Sequence, residues 1–301
     1  MKINSTLSAL IVVVFFFSFF ILPSTTFAHQ PRITIVQENT VSDPEISKAY
    51  YGNLKGSPHI YRISSAVPFE LYLNVLVPDI EGQTKEVSMV VVKDKDEKNI
   101  FLQLKGVGYE WKRFFEPFGQ NWYWQGPEYK ANVEAGQYDV YVWDPGNDSK
   151  YTFAVGEKEK FNLKETLNAI DLIPEIKKTF FNESPISFIY SPIGYGYIIF
   201  TYILAVLFGL LYRFVFRKIS GKILKQDTQQ EVSSSPYLVK KNIGIIDRLV
   251  RAILGLGLLY LAVTTTWGFL IIFLSGVCLF EAIFSWCLFY SAIGRNTCPV
   301  E

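Results

Sequence analysis

Histidine, methionine and cysteine are scarce, with two, two and three residues among 301. All three cysteines, Cys278, Cys287 and Cys298, lie near the C-terminal end. Residues 29–185 therefore hold no disulfide framework, no cysteine nucleophile and no thiolate zinc site. The two histidines, His29 and His59, stand isolated and make neither a catalytic triad nor a metal cluster. Gly-x-Ser-x-Gly, His-Glu-x-x-His and the glycine-rich phosphate loop are all missing. These gaps leave no catalytic residue, cofactor or metal site to expect, and favour a non-enzymatic protein. Net charge is equally slight at +1, which excludes a globally basic nucleic-acid binder.

What is abundant is apolar surface. Half of the residues are hydrophobic and 16% are aromatic, and the mean hydropathy is +0.19. Three stretches concentrate it. Residues 1–28 place Lys2 before an apolar run from Leu7 to Leu22, then Pro23 and the small-residue ending Thr26-Phe27-Ala28. That is the layout of a secretory signal peptide cleaved before His29. An uncleaved anchor is the competing reading, and both deliver the next segment outside the cytoplasm.

A second stretch, residues 189–216, has an uncharged centre long enough to cross about 30 Å of hydrocarbon. Tyr190, Tyr195 and Tyr197 flank one end and Tyr212 the other, followed by Arg213, Arg217, Lys218, Lys222 and Lys225. The positive-inside rule makes that basic end cytoplasmic. Residues 217–238 read as a cytoplasmic linker, polar and Ser/Gln-rich from Gly221 to Pro236. The third stretch is a hairpin, Ile245–Val263 and Trp267–Tyr290, turned by Thr264-Thr265-Thr266. Lys240, Lys241, Arg248 and Arg251 precede its body and Arg295 follows it, so both ends belong inside. The expected topology is multi-pass in the inner (cytoplasmic) membrane, with three spans, the mature N-terminus outside and the C-terminus in the cytoplasm.

Residues 29–160 read as an all-β extracytoplasmic domain. Eight β-rich runs recur between Gly, Pro and Asn/Asp turns: Arg32–Val36, His59–Ser64, Phe69–Val77, Glu86–Lys93, Asn99–Leu104, Asn121–Tyr129, Gln137–Trp143 and Tyr151–Val155. Short strands without intervening helices predict an antiparallel β-sandwich. The strand pair around Asp144-Pro145-Gly146-Asn147-Asp148 resembles the closing hairpin of secreted bacterial sandwich modules. Residues 161–185 are expected to form a juxtamembrane amphipathic helix, opened by an Asn162–Glu165 capping box. It can lie either on the sandwich or on the outer bilayer surface.

Nine aromatic residues crowd between Tyr109 and Tyr129. Trp111, Trp122 and Trp124 are the candidate ligand-binding residues, for an extracytoplasmic protein or a glycan; core packing is the alternative role for the same rings. Asp94-Lys95-Asp96-Glu97 and Asp144 to Asp148 carry oxygen ligands suited to calcium, and both also fall where turns are expected.

The C-terminal hairpin carries Asn242-Ile-Gly244-Ile-Ile-Asp247-Arg248-Leu-Val-Arg251 and, on its return, Cys287-Leu-Phe-Tyr290 and Gly294-Arg-Asn-Thr297-Cys298-Pro299. Residues 239–300 thereby resemble the YgaP-like inner-membrane domain, a two-helix family sometimes fused to rhodanese sulfurtransferases. This chain departs from the pattern at Cys287-Leu288 and Glu281, and no rhodanese domain accompanies it. The resemblance implies a second reading of function, a membrane thiol or sulfur-handling protein using Cys287 and Cys298. Physically, Asp247 and Arg251 are four apart on one helix face. Arg251 and Glu281 stand equally far from Thr266, so the hairpin brings them to one depth. A charge there needs a partner, and Glu281 is expected to pair with Arg251, shared with Asp247. Membrane lipids are expected partners beside that extracytoplasmic protein or glycan, and residues 29–187 hold 18 Lys+Arg against 23 Asp+Glu while residues 188–301 hold 10 against 5.

Overall fold

A computed structural model of the chain describes residues 29–94, 98–227 and 241–298. The expected signal peptide, half of the expected cytoplasmic linker and three residues of the first acidic turn lie outside the described residues. Two compact units divide the chain, Met1–Leu172 and Ile173–Glu301.

The first unit is a β-sandwich of two mixed sheets. One is ordered β1-β3-β11-β5-β9-β8 and the other β2-β4-β10-β6-β7. Their strands are β1 Gln30–Ile33, β2 Glu38–Val41, β3 Lys48–Asn53, β4 His59–Ser65, β5 Phe69–Pro78, β6 Ser88–Lys93, β7 Ile100–Leu104, β8 Lys112–Glu116, β9 Asn121–Val133, β10 Gly136–Trp143 and β11 Lys150–Val155. Seven of the eight β-rich runs coincide with strands and Arg32–Val36 overlaps β1 only at Arg32–Ile33, while β2, β3 and β8 add three that composition did not announce. The sandwich is also not wholly antiparallel. β1 pairs β3 in parallel and β2 pairs β4 in parallel. The first four strands alternate between sheets, so each same-sheet neighbour is reached by a crossover through the other sheet, which restores direction.

Alternation along the strands fills the space between the sheets. Leu71, Leu73, Val75 and Val77 of β5 face Met89, Val91, Tyr138, Val140 and Val142 of the opposite sheet, all fully buried. Burying such side chains stabilises by about 1.5–3 kcal/mol each. One irregularity in the ladder has a local cause. Pro127 offers no N–H, and the β5–β9 register shifts between Asn74 and Leu76. The buried Asn74 side chain donates toward the Gly126 and Pro127 carbonyls (3.3 and 3.4 Å).

A polar chain crosses the same core. His59 Nδ1 lies 2.6 Å from the Tyr151 hydroxyl, which lies 2.8 Å from that of Tyr61, itself 3.0 Å from Thr34 Oγ1. Gly52 makes room for it, because a Cβ there would fall 2.5 Å from Cζ of Tyr151. Half of the expected capping box is present in helix α1, Leu163–Thr179, where Glu165 N donates to Asn162 Oδ1 (2.9 Å). Glu165 also pairs with Arg32 of β1 at 2.9 Å, so the helix's first turn is tied to the sandwich.

The second unit is helical. Beyond a 3-10 turn, Pro185–Tyr190, come α2 Pro192–Asp227, α3 Ile245–Thr264, α4 Phe269–Phe284 and the short α5 Leu288–Ile293. Only Pro192–Ile219, within α2, is a candidate span by length and composition among the described residues, with mean hydropathy 2.2. Small residues let the helices approach closely. A Cβ on Gly276 would fall 2.8 Å from that of Ala205, and one on Gly255 would fall 2.9 Å from Leu279 Cγ. Tyr202 of α2, Ser275 of α4 and the Gly255 carbonyl of α3 form a hydrogen-bonded chain at 2.8 and 2.7 Å. The return of the hairpin is not one helix, because Ser285 adopts a left-handed backbone (φ 55°) and ends α4.

Burial lowers the pKa of His59, with the Lys55 charge adding to it, and burial pushes His29 down to about 4. Both stay neutral in the fold while the unfolded chain takes up protons as pH falls through about 6.5. Their contribution is therefore complete above that pH and erodes below it, levelling off once the folded histidines also protonate. The expected result is a lower sandwich melting temperature, read by circular dichroism, at pH near 5 than near 7.5. His59→Gln, which keeps an uncharged partner for Tyr151, is expected to weaken that pH dependence.

Candidate functional site

Two places collect the residues singled out from sequence. The first is the β8–β9 end of the sandwich. β5–β9 register pairs Val77 with Trp124, and β8–β9 register pairs Arg113 with Trp124 and Phe115 with Trp122. Directly paired residues share a face, and so do residues two apart. Trp122, Trp124, Arg113 and Phe115 thus continue the core-facing side of the sheet outward. Trp122 remains 44% exposed and Phe115 37%. Asp79 links the group, accepting from Trp124 Nε1 and from Arg113 Nε, each at 2.8 Å. The Arg113 guanidinium sits 4.1 Å from the Trp122 ring centroid, and Phe115 lies 4.9 Å from the same ring. Lys85 covers Trp124, its Nζ 3.4 Å from the ring centroid.

Trp111 is placed differently. Its ring fills the space over Gly126, where a Cβ would fall 2.5 Å from Cη2, and its Nε1 donates to the Gly106 carbonyl (3.0 Å). It plugs the end of the core and presents little ring to a ligand. Ile100, Phe101, Val107 and Tyr109 are also exposed, and β7 and β8 are edge strands of the two sheets; Phe114 is exposed on the other face of β8. Phe115 is one of the nine crowded aromatic residues and Arg113 one of the charges interleaved with them; Asp79, far upstream of that segment, carried no sequence signal. At the calcium candidate, Asp144 spends its carboxylate on the Gly146 and Ser149 amides (2.8 and 3.1 Å), as a turn residue does.

The second place is the start of the helical hairpin. Arg251 Nη1 and Glu281 Oε2 stand 2.5 Å apart, with side chains 20% and 7% exposed. Asp247 does not join that pair. Its Oδ2 accepts from Thr297 Oγ1 at 2.7 Å, because the segment after α5 folds back over the start of α3. Glu281 uses its other oxygen, Oε1, to accept from Leu288 N (3.2 Å). Asn242, which sequence reasoning quoted only as part of a motif, binds both sides of the break between α4 and α5. Its backbone N donates to Ser285 O, its Nδ2 to Cys287 O and Ser291 Oγ, and its Oδ1 accepts from Cys287 N (3.0, 2.9, 3.0 and 2.7 Å). Cys287 is fully buried in this knot, whereas Cys298 is half-buried and its backbone N donates to Asn296 Oδ1.

Residues 239–301 match the family model of the inner membrane protein YgaP-like, transmembrane domain. The YgaP-like domain therefore contains the whole hairpin knot, and it associates this chain with the inner membrane. No curated protein matches the chain. Among solved structures, the chain is similar to the pre-peptidase C-terminal domain of a collagenase from Bacillus anthracis. That likeness has 14% identity and a TM-score of 0.27, covering 41% of this chain and 96% of that one. A weaker likeness, at 12% identity and a TM-score of 0.20, is to the catalytic domain of a GH87 alpha-1,3-glucanase. It covers 38% of this chain and 23% of that one.

The YgaP-like knot predicts a specific thermodynamic pattern. Arg251→Met or Glu281→Leu alone leaves the other charge buried, at a cost of about 3–5 kcal/mol, while the double variant recovers much of the loss. Asn242→Ala, which strands the Cys287 backbone groups, is expected to lower the melting temperature in micelles more than Ser291→Ala. Equal effects of the two would place the stabilisation elsewhere.

Proposed function

We propose that the chain is a membrane-anchored, non-enzymatic binding protein of the cell envelope. In this reading a signal peptide exports the sandwich, three spans hold it, and the N-terminal domain lies outside with the C-terminus in the cytoplasm. The hairpin fits such insertion. α3 has 20 residues and so about 30 Å of length. Leu249, Val250, Ile253, Leu256 and Tyr260 on it are each more than half exposed, the pattern of a lipid-facing surface. Its charges lie in the first two turns with partners of their own: Asp247 with Thr297, Arg248 with the Ala282 carbonyl (2.7 Å) and Arg251 with Glu281. Arg213, Arg217, Lys218 and Arg248 then fall at the cytoplasmic end.

The observation that carries the binding role is the β8–β9 end with its exposed rings and its Trp122–Arg113–Asp79–Trp124 group. A soluble sandwich gains nothing by leaving such rings in water, and contiguous exposed apolar surface marks interaction sites. Guanidinium and phenyl groups already engage the Trp122 ring, which supports a protein partner over a stacked sugar. The test is to probe the full-length chain in nanodiscs against arrays of envelope peptides, proteins and glycans. Trp122→Ala with Phe115→Ala is expected to weaken binding roughly thirtyfold at unchanged melting temperature. Trp111→Ala is expected to lower stability first. Binding that survives loss of Trp122 and Phe115 would overturn the assignment.

A further inference from the structure

The cationic end of the hairpin is more than a flank that orients spans. The segment after α5 folds back on the start of α3 and leaves a concavity of about 340 Å³ lined by Gly244, Ile245, Ile246, Asp247, Arg295 and Thr297. Its wall has two chemistries. Ile245 and Ile246 are each 78% exposed, and Leu249, one turn further along α3, is 64% exposed. Arg295 supplies the charge; its guanidinium lies 5.1 Å from the Tyr290 ring centroid and joins no ion pair among the described residues. Asp247, the one acid in the lining, has Oδ2 committed to Thr297.

Helix packing puts further cations at this end. α2 and α4 run parallel, since Ala205 meets Gly276 and, one turn further along both helices, Gly209 meets Phe280, while Arg213 meets Trp286 just beyond the end of α4, its guanidinium 5.6 Å from the ring. α3 runs antiparallel to α4, since Gly255 meets Leu279 and Arg251 meets Glu281. The C-terminal part of α2, with Arg213, Arg217 and Lys218, is therefore at the same end as Arg248 and Arg295. Arg217 and Lys218 are exposed and join no ion pair among the described residues. A ligand suited to this surface has an anionic head and apolar tails.

We infer that this concavity binds the headgroup of an anionic phospholipid, with Arg295 facing the phosphate and Ile245, Ile246 and Leu249 against the acyl chains. The inference rests on the inserted hairpin proposed above. Clustered cations beside an apolar helix face recognise anionic lipid, each Lys or Arg near the surface contributing roughly fivefold in affinity. Zwitterionic lipid gains no such term.

The experiment uses the full chain, delipidated and returned to vesicles of phosphatidylcholine with or without phosphatidylglycerol, and reads bound lipid by native mass spectrometry. Phosphatidylglycerol is expected to be retained over phosphatidylcholine, and salt is expected to reduce the preference. Arg295→Gln should lower it roughly fivefold, and Arg295→Lys should keep most of it. Equal retention of the two lipids, or indifference to Arg295→Gln, overturns the proposal. Displacement of the lipid by glycerol 3-phosphate alone overturns it too, since the site would then take a soluble phosphate. Insertion is scored separately by Val250→Cys and peptide-resolved labelling with a water-soluble maleimide. Protection of that cysteine without a lipid preference rejects only the lipid site; free labelling rejects the inserted hairpin.

Discussion

Between α4 and α5 the chain leaves the helix for residues 285–287, and the backbone groups there cannot be left unpaired in an apolar setting. Asn242 satisfies the amide and carbonyl of Cys287 with one side chain and reaches the Ser285 carbonyl with its own backbone. Glu281 supplies the next partner, to Leu288 N, while neutralising Arg251. The requirement that every buried polar group be paired explains why the polar residues of an otherwise apolar hairpin cluster here. It also gives Cys287 a role as a buried small residue in that knot.

The same requirement shapes the sandwich. Asn74 serves the irregular stretch of the β5–β9 ladder, and His59, Tyr151, Tyr61 and Thr34 satisfy one another across the core. Where the sandwich departs from this economy is the β8–β9 end. There the rings stay in water, with Asp79 linking Arg113 and Trp124. The gathering of exposed rings at this edge is what directs the functional reading to it.

Much of the architecture was legible because it depends on local pattern. Period-two alternation marked β5, β10 and β11, and uncharged length marked α2. The strands that escaped were those without alternation. β8, Lys112–Glu116, mixes cations and rings on both faces because it is an edge with little to bury, and β2 carries Glu38 and Asn39. The equal spacing of Arg251 and Glu281 about Thr266 pointed to their depth, whereas Asp247 was drawn off by Thr297, fifty residues along the chain.

What the amino-acid order determined by itself is the division of the chain: a β-rich acidic domain without cysteine, then apolar helices with basic flanks. Those properties follow from composition and periodicity, which act over a few residues at a time. Only the tertiary structure decided which tryptophan plugs the core and which stays exposed, which carboxylate meets Arg251, and that the β1–β3 and β2–β4 pairs are parallel. Each depends on strand register or on a segment folding back from far along the chain. No local window contains both partners.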